Sequence, residues 1–153
     1  MNYGLVSEKD NEITLTFLKS KKVSSSSIVT ISKLNALVST LTSGDVIYMI
    51  SVDRFSSVSR FVAFTDIVLK ARVTLHCLEQ PYLDVGNGKH WRPSIVEHLN
   101  RLMSLENDNA KRLFSAFDFT SEGKDYVARC IADITVGILA KTYASDGIMH
   151  RGS

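Results

Sequence analysis

The stretch that decides the fold is residues 44–55, GDVIYMISVDRF. Its residues 46–52 form an almost unbroken apolar run, which is typical of a strand covered on both faces in a parallel sheet. Gly44 marks the end of a preceding helix, and Asp53 and Arg54 follow the apolar run directly. The stretch therefore predicts a central parallel strand that carries charged side chains at its carboxyl end.

Short strands and amphipathic helices alternate around this stretch. Residues 2–6 form a first apolar strand that ends at Ser7, and residues 72–78 form a further strand. Apolar residues at helical spacing predict helices over 30–41 and 58–70, a long helix from Pro93 to about residue 114, and a last helix from about residue 121. We therefore expect an α/β fold with a mostly parallel sheet flanked by helices, a long helix and an extra C-terminal helix.

The composition bounds the class of protein. A chain of 153 residues suffices for one ordinary domain, and its 44% hydrophobic content with a net charge of +2 excludes a disordered chain. The balance of 18 basic against 16 acidic residues lacks the basic excess typical of nucleic-acid-binding proteins. No apolar run reaches membrane-spanning length, so we expect no membrane association and a cytoplasmic location.

The two cysteines, Cys77 and Cys130, lie far apart in apolar surroundings. We expect both to be buried free thiols in a reducing compartment rather than a disulfide. The sequence contains no Cys-x-x-Cys pair and no His/Cys spacing typical of zinc sites. We therefore expect neither a metal nor a cofactor.

Three pieces of the sequence together resemble the N-terminal catalytic domain of resolvase/invertase-type serine recombinases. Residues 3–7, YGLVS, resemble the family's Y-A-R-V-S strand end, and GDVI (44–47) with VDRF (52–55) resembles its G-D-x-[VIL] and [LVF]-D-R-[LF] elements. A helix, a strand followed by Glu79, a glycine-containing loop and a long helix then follow in the family's order. The resemblance covers roughly residues 1–112.

The resemblance implies a site-specific DNA recombinase. In this family the serine at the position of Ser7 attacks a DNA phosphodiester and becomes a covalent phosphoserine. Asp53 and Arg54 match an acid and an arginine of the family's active site. DNA is the implied partner, and the long helix from Pro93 is implied to form a homodimer through its apolar stripe of Ile95, Leu99, Leu102 and Met103.

Most of the family's arginines are missing. Leu5 and Ser57 stand where the family has arginine, and the segment between Val23 and Ser43 has only Lys33 as a charge. Loss of one preorganised donor to a transition state typically costs about 10²–10³ in rate, so we expect impaired strand cleavage. Arg60, one helical turn beyond Ser57, is the candidate for a relocated catalytic arginine.

The domain organisation follows from the same reasoning. We assign residues 1–114 to the resolvase-like domain, including its long helix from about residue 93, and residues 115–153 to a C-terminal helical appendage. From residue 121 onward four basic residues face four acidic ones, whereas a DNA-recognition helix brings a basic excess. We therefore expect no DNA-binding module in this segment.

We favour a dimeric resolvase-like domain with impaired activity, and two alternatives stay open. One is an active small recombinase that uses Ser7, Asp53 and Arg54 with Arg60 as a relocated basic group. The other is a non-enzymatic interaction or regulatory module that pairs through the helix from Pro93.

Overall fold

The computed structural model describes residues 1–86, 88 and 90–144, and its α/β architecture confirms the fold class expected from the sequence. Within these residues, four strands form one parallel sheet in the order β2-β1-β3-β4. The strands are β1 (Asn2–Val6), β2 (Ile28–Thr30), β3 (Val46–Met49) and β4 (Thr74–Cys77). The helices are α1 (Glu12–Lys19), α2 (Leu34–Thr40), α3 (Val58–Lys70), α4 (Pro93–Ala116) and α5 (Ser121–Thr142).

The two faces of the sheet are covered by different helices. Successive side chains of a strand point to opposite faces, so Leu5, Ile47 and Leu75 lie on one side, where each is 0% exposed. These residues share the main core with apolar side chains of α2, α3, α4 and α5. A smaller cluster on the other side contains Val6, Ile50 and Leu18 of α1. The carboxyl ends of the strands stay available for side chains from the following loops.

The strand expected over residues 72–78 is shortened to Thr74–Cys77, and two other element boundaries differ by three residues or more from the sequence-based expectation. The strand expected over residues 46–52 ends at Met49, because Val52–Arg54 form a 3₁₀ turn capped by the Ser51 side chain. The helix expected from Thr30 begins at Leu34, after a 3₁₀ turn over Ile31–Lys33, and Thr30 itself ends β2. Each difference reflects a local turn that apolar spacing does not reveal.

The apolar stripe of α4 packs inside the chain. Ile95, Leu99 and Leu102 are 6%, 2% and 3% exposed, and Met103 packs against the same core. These are the side chains from which the resemblance implied a dimer interface, and the fold of one chain already covers them. A homodimer through α4 stays a prediction, and its contacts would have to come from other residues of the helix, such as the half-exposed Val96 and Leu105.

The C-terminal helix α5 also belongs to the main core, through Val136, Leu139 and Ala140. Cys130 precedes Leu139 by nine residues, which places it on the opposite side of a helix with 3.6 residues per turn. Cys77 is buried as expected, but Cys130 is exposed, so the expectation of a buried thiol is wrong for Cys130. No helix in the described part of the chain is long and apolar enough to cross a membrane.

Candidate functional site

The sequence-predicted residues meet at the carboxyl ends of two neighbouring strands. Ser7 follows β1, and Asp53 and Arg54 lie in the turn after β3, which pairs directly with β1. Together with Arg60 of α3, all three line one cleft of 470 Å³. This edge is where open parallel sheets commonly place their binding and catalytic groups. The arrangement makes the cleft the candidate functional site.

Arg54 is held between two carboxylates. Its Nε lies 3.1 Å from each carboxylate oxygen of Asp10, its Nη2 lies 2.9 Å from Asp10 Oδ1, and its Nη1 lies 2.7 Å from Asp53 Oδ1. The Arg54 side chain is 9% exposed and that of Asp10 is 2% exposed. Burial alone would lower the pKa of Arg54, but the hydrogen bonds and charges of Asp10 and Asp53 raise it, so the guanidinium stays protonated.

Asp10 also binds the backbone beside Ser7. Its Oδ2 accepts a hydrogen bond from Ser7 N at 2.9 Å, and its own backbone N–H donates to Ser7 O at 3.0 Å. A guanidinium and a backbone N–H at a strand end are groups that typically bind a phosphate. In this chain the Asp10 carboxylate accepts the hydrogen bonds that these two groups would otherwise donate to a phosphate. Asp10 could not be recognised from the sequence, because an acid three residues after a serine is an ordinary turn pattern.

The Ser7 hydroxyl has no basic partner in the described residues. It accepts a hydrogen bond from Lys9 N at 3.2 Å. The Lys9 ammonium points instead to Asp53, whose backbone oxygen lies 3.1 Å away. It also lies 4.0 Å from carboxylate oxygens of Asp53 and Asp133. Lys9, two residues after Ser7, and Arg54, the arginine that follows Asp53, are therefore both already paired with acids.

Arg60 reaches the same cleft from the first turn of α3. Its Nη1 donates to Ser56 Oγ at 3.1 Å, and among the described residues it forms no ion pair. Ser57, which stands where serine recombinases have an arginine, is the N-cap of α3 and accepts a hydrogen bond from Arg60 N at 3.0 Å. Leu5, which stands where they have another, is fully buried in the main core. Both residues therefore have structural roles in this chain.

The amino terminus of α3 is already occupied by a buried acid. Glu106 of α4 is 8% exposed and accepts hydrogen bonds from Val58 N at 2.7 Å and from Ser59 Oγ at 2.8 Å. The Thr135 hydroxyl of α5 donates to the same carboxylate at 2.7 Å. Helix amino termini favour anions, and Glu106 fills this one. It also fixes α5 beside the cleft.

A buried amide makes a second contact with the carboxyl-terminal half of α5. Gln80 is 1% exposed, and its Oε1 accepts from Val52 N at 2.9 Å while its Nε2 donates to Ala140 O at 3.1 Å. This bridge joins the turn that carries Asp53 and Arg54 to α5. As a result, α5 forms one wall of the cleft, through Tyr126, Arg129, Cys130 and Asp133. Sequence reasoning missed this wall, because the apolar spacing of α5 indicated packing without showing where.

The cleft contains few groups that bind cofactors. Among residues 1–86, 88 and 90–144, no group of three or more His, Cys, Asp or Glu side chains is arranged to hold a metal ion. The acids that line the cleft are Glu8, Asp53 and Asp133, and the last two face Lys9. Besides these acids and Lys9, the polar groups that line the cleft are three guanidiniums, the hydroxyls of Ser7 and Ser56, one tyrosine and the thiol of Cys130.

In comparisons with known proteins, no family model matches the chain and no curated protein is significantly similar to it. The resemblance to serine recombinases therefore depends on the residues quoted above and on their positions.

Proposed function

We propose that the chain is a resolvase/invertase-type domain, related to site-specific DNA recombinases, that does not cleave DNA and acts as a non-enzymatic interaction or regulatory module. Ser7, Asp53 and Arg54 line one cleft, which supports the relationship. The capture of Arg54 by Asp10 is the observation that carries the loss of cleavage. The family's serine chemistry needs guanidiniums free to meet phosphate oxygens.

The local charge argues against phosphoryl transfer at Ser7. The guanidinium of Arg54 and the ammonium of Lys9 are paired with the carboxylates of Asp10 and Asp53, so these four groups carry no net charge. At an effective dielectric constant of about 20, an uncompensated positive charge about 4 Å away would attract a phosphate by about 4 kcal/mol. A phosphate that approached Ser7 would therefore lack the attraction that catalysis requires.

The nucleophile also lacks activation. A serine hydroxyl is a weak nucleophile unless a neighbouring group accepts its proton. The described contact of Ser7 Oγ is with a donor, the backbone N–H of Lys9. Ser7 Oγ accepts from an amide and, among residues 1–86, 88 and 90–144, has no hydrogen-bonded base, which supports a structural role for Ser7 in the turn before α1.

The partners and location form part of the same proposal. DNA is the partner of serine recombinases, and they form homodimers through the long helix. In this chain the corresponding homodimer would use outward residues of α4. The exposed free thiol of Cys130 fits a reducing, cytoplasmic environment. The even balance of charge in the sequence implies that any DNA contact is local and sensitive to salt.

An active small recombinase is a second candidate, and Arg60 favours it. This guanidinium lines the cleft with Ser7 and bonds a neutral hydroxyl rather than an acid. One relocated arginine would still leave Arg54 neutralised by Asp10. The first proposal therefore accounts for more of the site.

Covalent trapping separates the two candidates. The protein is incubated with supercoiled plasmids that carry random inserts and, in parallel, with bis(p-nitrophenyl) phosphate, an activated phosphodiester that has no sequence requirement. After denaturation, mass spectrometry measures, at Ser7, attached DNA or the p-nitrophenyl phosphate group that remains after release of one p-nitrophenolate. We expect the same background from the wild type and from Ser7→Ala. A Ser7 adduct that the substitution abolishes would establish the active recombinase instead.

A further inference from the structure

The cleft-facing side of α5 carries an unusual set of groups. Tyr126, Arg129, Cys130 and Asp133 follow one another at i, i+3, i+4 and i+7, so they form one face of the helix. Asp133 is paired with Lys9 at 4.0 Å. The part of this face nearer to the amino terminus of α5, with Tyr126 and Arg129, stays open to a ligand.

Two guanidiniums in the cleft are not neutralised by acids in the described residues. Arg60 of α3 bonds the Ser56 hydroxyl at 3.1 Å, and Arg129 Nε bonds the backbone oxygen of Asp125 at 3.4 Å. Lys9 and Arg54, by contrast, are each paired with two acids. The cleft therefore has positive charge on α3 and α5 that no acid of the described residues pairs with.

An anion in this cleft would have to be bound by the side chains of Arg60 and Arg129. The first amides of α3 already have acceptors, since Val58 N donates to Glu106 and Arg60 N donates to Ser57 Oγ. Arginine binds phosphate oxygens through a planar set of donors, and two arginines from different helices can approach one phosphate from two sides.

Tyr126 adds a flat surface next to Arg129. Its side chain is 64% exposed and lines the cleft, and the apolar Ile31 lines the cleft as well. Exposed aromatic rings beside guanidiniums are the usual means of binding nucleic-acid bases without sequence preference. The cleft volume of 470 Å³ lies within the range of about 300–1,000 Å³ that is common for small-molecule sites.

We propose that this cleft binds a nucleotide, with its phosphate between Arg60 and Arg129 and its base against Tyr126. The nucleotide can be free or part of a single strand, since both present the same phosphate and base. Binding in this way uses neither Ser7 nor Arg54. The inference is therefore independent of whether the domain cleaves DNA.

The test is calorimetric titration of the full chain at low ionic strength with adenosine 5′-monophosphate, inorganic phosphate and a single-stranded tetranucleotide. The test variants are Arg60→Gln, Arg129→Gln, Tyr126→Ala and Tyr126→Phe. Arg112→Gln and Tyr82→Ala are matched controls, because Arg112 is exposed outside the cleft and Tyr82 is also 64% exposed. Circular dichroism verifies that each variant is folded.

We expect each arginine substitution in the cleft to weaken nucleotide binding about tenfold or more, as for loss of a charge-assisted contact. Tyr126→Ala should weaken binding of the nucleotide but not of inorganic phosphate, Tyr126→Phe should retain it, and both controls should bind within twofold of the wild type. Tighter binding of the tetranucleotide than of the mononucleotide would identify a strand as the source, and the reverse would identify a free nucleotide.

Three results would overturn the inference: no nucleotide binding by the folded wild type at millimolar concentration, equal losses in cleft variants and controls, or no effect of Tyr126→Ala. None of these results depends on an adduct at Ser7. Failure of this inference is therefore distinguishable from failure of the proposed function.

Discussion

The carboxylate of Asp10 makes three hydrogen bonds to the guanidinium of Arg54, across 44 positions of the chain. The same carboxylate accepts from the backbone N–H of Ser7 at 2.9 Å. Asp10 therefore occupies the space in which a bound phosphate would contact both groups. On the proposed function, this pair is the reason why a cleft that holds a serine, an acid and an arginine would not cleave a phosphodiester.

The buried acid of α4 predicts a large effect on stability. Glu106→Ala removes the acceptor for Val58 N and Ser59 Oγ and should lower the free energy of unfolding by about 2–3 kcal/mol. Urea denaturation measures the loss. Glu97→Ala, at an exposed position of the same helix, is the control and should change stability by at most about 0.5 kcal/mol. Equal effects would show that Glu106 does not cap α3.

The packing of α4 predicts how its apolar stripe responds to truncation. Leu99 is 2% exposed, so Leu99→Ala should cost about 2–5 kcal/mol through lost burial and a cavity. Leu105 is 45% exposed on the same helix, so Leu105→Ala should lower the free energy of unfolding by much less. Because Leu99 packs within one chain, we expect the cost at Leu99 to be independent of protein concentration. A cost that falls with rising concentration would place Leu99 in a dimer interface.

The sheet, and the proximity of Ser7 to Asp53 and Arg54 at its strand ends, could be predicted from the sequence for a simple reason. The apolar run before Asp53 and the strand before Ser7 indicate parallel strands, and parallel strands bring their carboxyl ends to one edge. The contact between Asp10 and Arg54, by contrast, joins residues 44 positions apart, and no local sequence pattern predicts it. An apolar stripe such as that of Leu99 has the same spacing in a core helix and in a dimer helix, so sequence periodicity could not distinguish them.

The wall formed by α5 could not be predicted for a related reason. Its placement depends on Gln80 and Glu106, two buried polar side chains whose partners lie 60 and 29 positions away. Local sequence around either residue resembles that of an ordinary surface. Arg129 and Tyr126 therefore reach the cleft through contacts that no motif records.

The two thiols should differ sharply in reactivity. Cys77 is buried, and burial together with the charge of Asp84 raises its pKa well above the ordinary thiol value, so little reactive thiolate forms. Cys130 is exposed on α5. Mass spectrometry of the native protein treated with N-ethylmaleimide should show one rapid addition, which Cys130→Ser abolishes and Cys77→Ser leaves intact. Two additions at equal rates in the folded protein would refute the burial of Cys77.

Asp45 predicts a contribution to acid stability. Burial opposes its charged form, but hydrogen bonds from Thr42 and the amino-terminal ammonium outweigh burial, so its pKa lies below the ordinary value of 3.8. A carboxyl with a lowered pKa in the folded state stabilises the protein above the ordinary value, and this stabilisation is lost as the pH falls through the folded-state pKa.

Urea denaturation between pH 2 and pH 6 measures this contribution. We expect the Asp45→Asn variant to be less stable than the wild type at pH 6, with a difference that shrinks as the pH falls below about 4. The exposed Asp118→Asn is the control and should follow the wild-type curve. A constant difference at every pH would mean that the ionised form of Asp45 adds nothing.

The capture of Arg54 is tested most directly by the NMR signal of its Nε–H during titration with inorganic phosphate of the Arg60→Gln/Arg129→Gln variant, which lacks the two arginines proposed above to bind phosphate. We predict that the signal stays unchanged in this variant, and also when Asp133→Asn is added, which removes an exposed acid from the same cleft. When Asp10→Asn is added instead, which also removes one negative charge, the Arg54 signal should shift with phosphate. A saturable shift of Arg54 in the variant that keeps Asp10 would contradict the account, because it would show a guanidinium free to bind phosphate beside Ser7.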